Sequence, residues 1–282
     1  MKYTYNIHGK LVSLSCREEW KPTADFLAGI LLEEEKAGGA LEEDSIIQIG
    51  WSFYKFVKCG QGFQMVTFDY VGDPFSATEE DLSLSLRIFH EQTEILNKAQ
   101  LQAQAVTTSF QDTMLMKNTA RTADTVYLQR LEPVCEGDSG WYMGVIGEEG
   151  SDDPGDYTRV HTYQLLSFCE AALALMPLPL GTIGLFERGQ LVEVVEGVPS
   201  GEILVGGFPL RVKVLRKVEI HLGVHLVHPQ RSVRGQNGSY PVCIGALRYL
   251  GSFILRHPFR RTLRQGDTAQ NGGCGPLRFL VC

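Results

Sequence analysis

The chain has 282 residues, with 44% hydrophobic and 21% charged content and a net charge of −7, the balance of a globular protein long enough to bury a core in one large or two small domains. No apolar stretch follows the charges of residues 1–10. The longest apolar run, residues 171–176 with a Pro-broken extension to Leu180, falls far short of the roughly 20 residues a membrane helix needs, so neither a secretory signal nor a membrane partner is expected and a cytoplasmic protein is expected. Seven cysteines at wide spacings, with no Cys-x-x-Cys, argue against a disulfide framework or a zinc knuckle and for reduced thiols, partly in the core.

The net charge hides an asymmetry. After Leu210 there are 12 basic residues against Glu219 and Asp267, a balance of +10, which leaves 14 basic and 31 acidic residues, −17, in residues 1–210. Such a body repels nucleic acid and favours basic partners.

In chain order, residues 1–16 read as a hairpin: Tyr3, Tyr5 and Ile7 alternate, His8-Gly9-Lys10 turns, and Leu11, Ser13 and Ser15 return. Residues 24–37 predict a helix with Phe26, Leu27, Ile30 and Leu31 on one face and Gly38-Gly39 at its end. Residues 46–57 and 63–70 predict an antiparallel pair about the Cys59–Gly62 turn. Thr78, followed by three acids, predicts a helix start, with the helix running to about Ala99. Residues 103–116 read as a strand, while residues 126–130 are short and ambiguous. A second unit starts near Pro133, with a strand over 140–146, an acidic loop over 147–156, a helix over 160–176 ended by Pro177 and Pro179, and a hairpin of 182–187 and 190–195 about Arg188-Gly189.

The expected fold class is therefore α+β: two small units with antiparallel sheets and packed helices. An N-terminal domain is expected over 1–131 and a second over 132–198. Residues 199–282 form a strand-rich and then irregular basic tail, for which a nucleic-acid arm and translation past a frameshift are the two readings.

Motifs for catalysis fail on their context. Gly137-Asp138-Ser139-Gly140 matches the start of the trypsin-like nucleophile motif, but Trp141 follows where backbone must approach substrate closely, so a turn into a strand is the better reading. His221, His225 and His228 could share zinc on a helix, yet their β-branched neighbours favour a strand and no acid lies inside the motif. Cys169 and His161 are too far apart on the predicted helix to form a dyad. No catalytic residue, metal or cofactor is assigned.

The acidic loop says more. Glu148, Glu149, Asp152, Asp153 and Asp156 lie within nine residues, without the spacing of a calcium loop. They form either a solvated loop or an electrostatic hook for a basic partner. Asp138-Ser139-Gly140-Trp141-Tyr142, then Gly147-Glu148-Glu149, then Asp152-Asp153-Pro154, the predicted helix, and the run from Pro179 to Arg188 together resemble the immunity protein 33 family (domain of unknown function 2185) over residues 137–188. Its members share an Asp-Ser-Gly-Trp strand, a Gly-Asp/Glu loop, an Asp-Asp/Asn-Pro turn and a closing Gly-Thr-x-Phe-x-Arg stretch. Tyr142-Met143 and Arg159-Val160-His161-Thr162 depart from the family's usual residues.

The resemblance implies a bacterial immunity protein of a polymorphic toxin system. It would be non-enzymatic and would neutralise a cognate toxin, of which a nuclease effector is one kind, by direct binding. The partner would present a basic surface to Glu148, Glu149, Asp152, Asp153, Asp156, Tyr157 and Trp141, with core packing as the other reading of Trp141; a homodimer is compatible with this. The competing classes are an enzyme or small-molecule sensor of unrecognised family, marked by a deep polar pocket, and a regulatory or scaffold domain with no toxin link.

Overall fold

A computed structural model describes residues 1–39 and 41–196 and the backbone of 254–255. The histidine triplet and the basic tail, apart from that pair, lie outside the described residues. The fold is α+β, built from two mixed sheets and two α-helices.

The first sheet contains β1 (Lys2–Ile7), β2 (Lys10–Ser15), β3 (Ile46–Ile49), β4 (Ser52–Cys59), β5 (Gly62–Phe68) and β6 (Thr78–Glu79), with Ile254–Leu255 paired to β3. Its order is β1-β2-β5-β4-β3, and β6 pairs with β5. The alternation of Tyr3, Tyr5 and Ile7 gives the expected hairpin, and β4 and β5 form the expected antiparallel pair. Helix α1 (Lys21–Lys36) buries Leu27, Ile30 and Leu31 against Val12, Leu14, Phe56 and Met65. Helix α2 (Ser83–Ala99) starts five residues later than Thr78 predicts. Thr78 and Glu79 are instead paired with Phe68 and Thr67, and the Asp81 carboxylate accepts from the Ser83 N–H at 3.0 Å.

The second sheet has β7 (Thr113–Lys117), β8 (Thr125–Arg130), β9 (Asp138–Val145), β10 (Tyr157–His161), β11 (Thr182–Glu187) and β12 (Gln190–Glu196), in the order β10-β7-β9-β8-β11-β12. Each sheet includes one parallel pair, β2 with β5 and β7 with β9, where antiparallel pairing alone was expected. The boundary expected at residues 131–132 falls between β8 and β9, which are hydrogen-bonded neighbours in one sheet.

Three further predicted elements differ: residues 46–57, expected as one strand, contain β3 and most of β4, paired antiparallel with each other. Residues 103–116 are a strand only from Thr113; before it, the chain runs as a loop that carries Phe110 into a ring cluster of Trp51, Phe53, Phe68 and Tyr70, with centroids 5.0–6.2 Å away. The predicted helix over 160–176 is the end of β10 followed by two 3-10 segments, Thr162–Ser167 and Glu170–Leu175. They lie on the core side of the second sheet, where Leu165, Leu173 and Leu175 join Met116, Trp141, Met143 and Phe186.

Helix α2 stands between the two cores. Leu86 and Phe89 belong to the first and Ile88, Ile95 and Leu96 to the second. Polar bonds join the two regions: the Trp51 indole N–H donates to the Thr162 hydroxyl at 2.9 Å, the Gln92 amide donates to the Leu173 carbonyl at 2.9 Å, and Arg87 pairs with Glu170. Among the described residues no helix is long and apolar enough to cross a membrane.

Candidate functional site

The acidic residues sit in the connection from β9 to β10. Glu148 is held: Lys117 reaches its carboxylate at 2.8 Å and the Thr119 hydroxyl donates at 2.9 Å, and these two bonds keep the Glu148 carboxyl below its ordinary value. The Lys117 ammonium also donates to the Glu149 carbonyl at 2.7 Å, fixing the start of the loop, and its affinity for the proton rises through Glu148. Asp153 acts locally, accepting from the Gly155 N–H at 2.8 Å ahead of the short 3-10 turn Pro154–Asp156. Glu149, Asp152, Asp153 and Asp156 are exposed, and among the described residues none of them has a base within ion-pair distance. The loop is thus braced by one neutralised acid and presents four carboxylates to water.

Tyr157 ties the far end of the loop to the sheet. Its hydroxyl accepts from the Ser151 N–H at 2.9 Å and donates to the Ser151 carbonyl at 3.1 Å. Its ring, half-buried, stands 6.3 Å from that of Tyr142, which in turn is 5.8 Å from Tyr127. This tyrosine row lies on the face of the second sheet opposite the core, because on β8 and β9 Leu128, Trp141 and Met143 alternate inward with Tyr127 and Tyr142 outward. Burial, helped by neighbouring phenols, raises the proton affinity of Tyr142; burial alone leads for Tyr127. The row needs Gly144: a Cβ there would lie 2.6 Å from the Tyr127 ring, which rests over the bare backbone.

Trp141 does not belong to this surface. It is 1% exposed, its indole N–H donates to the Met176 carbonyl at 3.4 Å, and the Arg130 guanidinium lies 5.4 Å from its ring. The expectation of a partner contact at Trp141 is therefore corrected, since strand alternation turns it inward and Tyr142 outward. Arg130 is itself buried and donates to the Met176 carbonyl; desolvation lowers its pKa to about 10, opposed by Asp112 and Asp138.

The sequence groups the loop acids with Tyr157, and in the structure the acids lie in the β9–β10 connection and Tyr157 opens β10. Sequence reasoning missed Tyr127 and the brace at Lys117, although the spacing of Val126 and Leu128 about Tyr127 held the signal for an outward ring.

The remaining motifs serve the fold. Ser139 is buried and its hydroxyl oxygen accepts from the Trp141 N–H at 3.2 Å, so Gly137–Gly140 is the turn into β9. Cys169 is buried, which pushes its thiol up to about 11, and His161 Nδ1 is engaged with the Gln111 carbonyl at 2.6 Å. Among the described residues no three His, Cys, Asp or Glu side chains are grouped to hold a metal ion.

Among the described residues the braced acidic loop and the tyrosine row thus form one surface on the side of the second sheet away from the core. The model of the Imm33-like domain matches residues 91–197. The match starts within α2 and takes in β7 to β12, so it includes the whole second sheet and both 3-10 segments as well as the stretch 137–188 that carries the sequence resemblance. No curated protein and no solved structure matches the chain.

Proposed function

We propose that the protein is a bacterial immunity protein that neutralises a cognate toxin by binding it in the cytoplasm, and that the exposed carboxylates of the β9–β10 loop steer and hold a basic toxin surface. The observation that carries this reading is the coincidence of the Imm33-like match with the second sheet and its acidic loop. Binding suffices for such a role: nothing in it requires the protein to turn over a substrate, and a rigid rim of like charge raises both the rate and the selectivity of association with a basic surface. A nuclease, whose own site must attract phosphates, is the class of toxin that best fits a body of −17.

The test is survival. Co-expression with the product of an adjacent toxin-like gene is expected to protect cells, and the Asp152→Lys, Asp153→Lys double variant is expected to slow association at least about tenfold and to weaken protection. Full protection and unchanged association by that variant would remove the loop from the reading, and failure of any neighbouring gene product to bind would remove the reading itself.

A further inference from the structure

We propose that the outer face of the second sheet is the centre of the partner contact, and that it takes an arginine-bearing segment whose guanidinium groups stack on Tyr127 and Tyr142 between two acidic ends. The inference deepens the binding function above and rests on it for the identity of the partner, but its chemistry stands on the geometry of the face.

Direct cross-strand pairing places the residues. Leu115 stands opposite Tyr142, Tyr142 opposite Gln129, Tyr127 opposite both Gly144 and Leu185, and Leu185 opposite Glu193. Residues directly opposite share a face, so these form one continuous surface. The 3-10 segments Thr162–Ser167 and Glu170–Leu175 pack on the other side, with Met143, Leu128 and Phe186. Tyr127, Tyr142, Leu115 and Leu185 are each partly buried and keep some surface accessible. One end of the face meets the loop acids through Tyr157; the other reaches Glu193. At about 4.8 Å per strand, the five steps across the sheet span roughly 24 Å.

Charge selects the occupant. The face's own cations are already matched: Lys117 is 2.8 Å from Glu148, and Arg159 is 3.8 Å from Asp138. What is left over is negative at both ends, with Glu149, Asp152, Asp153 and Asp156 on one side and Glu193 on the other. A tyrosine face attracts a cation through its ring quadrupole, and guanidinium, being planar and weakly hydrated, stacks better than an ammonium. Burial raises the proton affinity of both phenols, so the rings carry no charge at physiological pH and meet a guanidinium through their π-faces. A partner strand or loop carrying alternate arginines would lay one side chain per ring and reach an acid at either end.

The experiment uses the full chain and a synthetic probe, an acetylated and amidated Gly-Arg hexapeptide, beside its lysine and citrulline analogues, with binding followed by calorimetry and by the ring resonances of the tyrosines. The arginine peptide is expected to bind more tightly than the lysine peptide and the citrulline peptide to bind least. Tyr142→Ala is expected to weaken the arginine peptide about 3- to 30-fold. Tyr127→Phe, which keeps the ring, is expected to retain binding, and Glu193→Lys to weaken it. Glu43→Lys, an exposed reversal on the first-sheet side, is expected to change little.

Equal affinity for arginine and citrulline peptides, an undiminished Tyr142→Ala, or an equal loss from Glu43→Lys would overturn the proposal. So would a homodimer in sedimentation that Tyr142→Glu dissociates, since a second copy would then own the face. Circular dichroism confirms folding, and Tyr127→Phe keeps the test informative if Tyr142→Ala unfolds. The two readings separate cleanly: normal peptide binding without protection from any toxin leaves the face and removes the immunity role, whereas protection that survives Tyr142→Ala, with peptide binding intact, does the reverse.

Discussion

The two sheets are built from similar residues and treat their faces differently. In the first, the central strands are buried on both sides: Ser52, Phe53 and Tyr54 run consecutively out of water on β4, and Gln64 to Phe68 do so on β5. Alpha-helices take one side, and the Phe110 ring cluster takes part of the other. In the second sheet the outward side chains Leu115, Tyr127, Gln129 and Tyr142 stay partly accessible, although Ile183 on the same face is buried. On β8, Val126, Leu128 and Arg130 are buried and Tyr127 and Gln129 are not fully so. A strand that alternates still has one face to offer, whereas a strand buried on both faces has none. The contrast leaves the partly accessible rings of Tyr127 and Tyr142 on the second sheet, the side on which the binding surface is proposed.

Adjacent residues on β9 give the strongest way to break that contrast. Trp141→Ala removes a ring packed in the core and is expected to cost roughly 3–5 kcal/mol in denaturant unfolding. Tyr142→Ala, one residue on and facing outward, is expected to cost about 1 kcal/mol or less. Similar losses at the two positions would mean that the outer face is as closely packed as the inner one, and the proposed surface would go with it.

A smaller effect sharpens the same point with two glycines. A Cβ at Gly184 would lie 2.2 Å from a Leu175 methyl that is fully buried, so Gly184→Ala is expected to lower stability by about 1–3 kcal/mol. At Gly144 the obstructing atoms belong to the partly accessible Tyr127 ring, which can swing away. Gly144→Ala should therefore cost less than about 1 kcal/mol in stability while displacing the Tyr127 resonances. A larger stability loss at Gly144 than at Gly184 would contradict this picture of the two faces.

The smallest effect concerns α2, which serves both regions. Burial, the largest influence, raises the Glu91 carboxyl above its ordinary value despite the pull of Arg87. A carboxyl with a raised folded-state pKa contributes stability that is present below the unfolded value, about 4.3 for glutamate, and lost as pH rises through the folded value. Glu91→Gln cannot ionise, so its melting temperature relative to the parent chain should be higher near neutral pH and the advantage should shrink toward pH ~5. An advantage that grows on acidification would show that the Arg87 ion pair, not burial, governs the site.

The strands of the β1–β2 and β11–β12 hairpins and the two α-helices are legible because hydrophobic period and turn residues agree there, as in the Tyr3–Ile7 hairpin and the stripe Leu82, Leu86, Phe89 and Leu96. Residues 160–176 are not. Val160 is the one buried residue of an edge strand whose Thr158 and Arg159 face water, too short an alternation to read. Ala172 to Leu178 are buried on every side, so no stripe distinguishes an α-helix from 3-10 turns. The loop acids of the candidate site were visible as composition. The inward turn of Trp141 was not, since a short apolar strand does not state which face meets the core.

The Phe110 cluster bears on how freely this architecture can be cut and rejoined. The stretch matched by the Imm33-like domain carries Phe110 but leaves behind Trp51, Phe53, Phe68 and Tyr70, the rings that enclose it. Excised at residue 91, the second sheet would take with it a bare aromatic plug and half of α2. The aromatic joint therefore ties the matched stretch to the first sheet, so a segment that carries the second sheet alone would need new partners for Phe110.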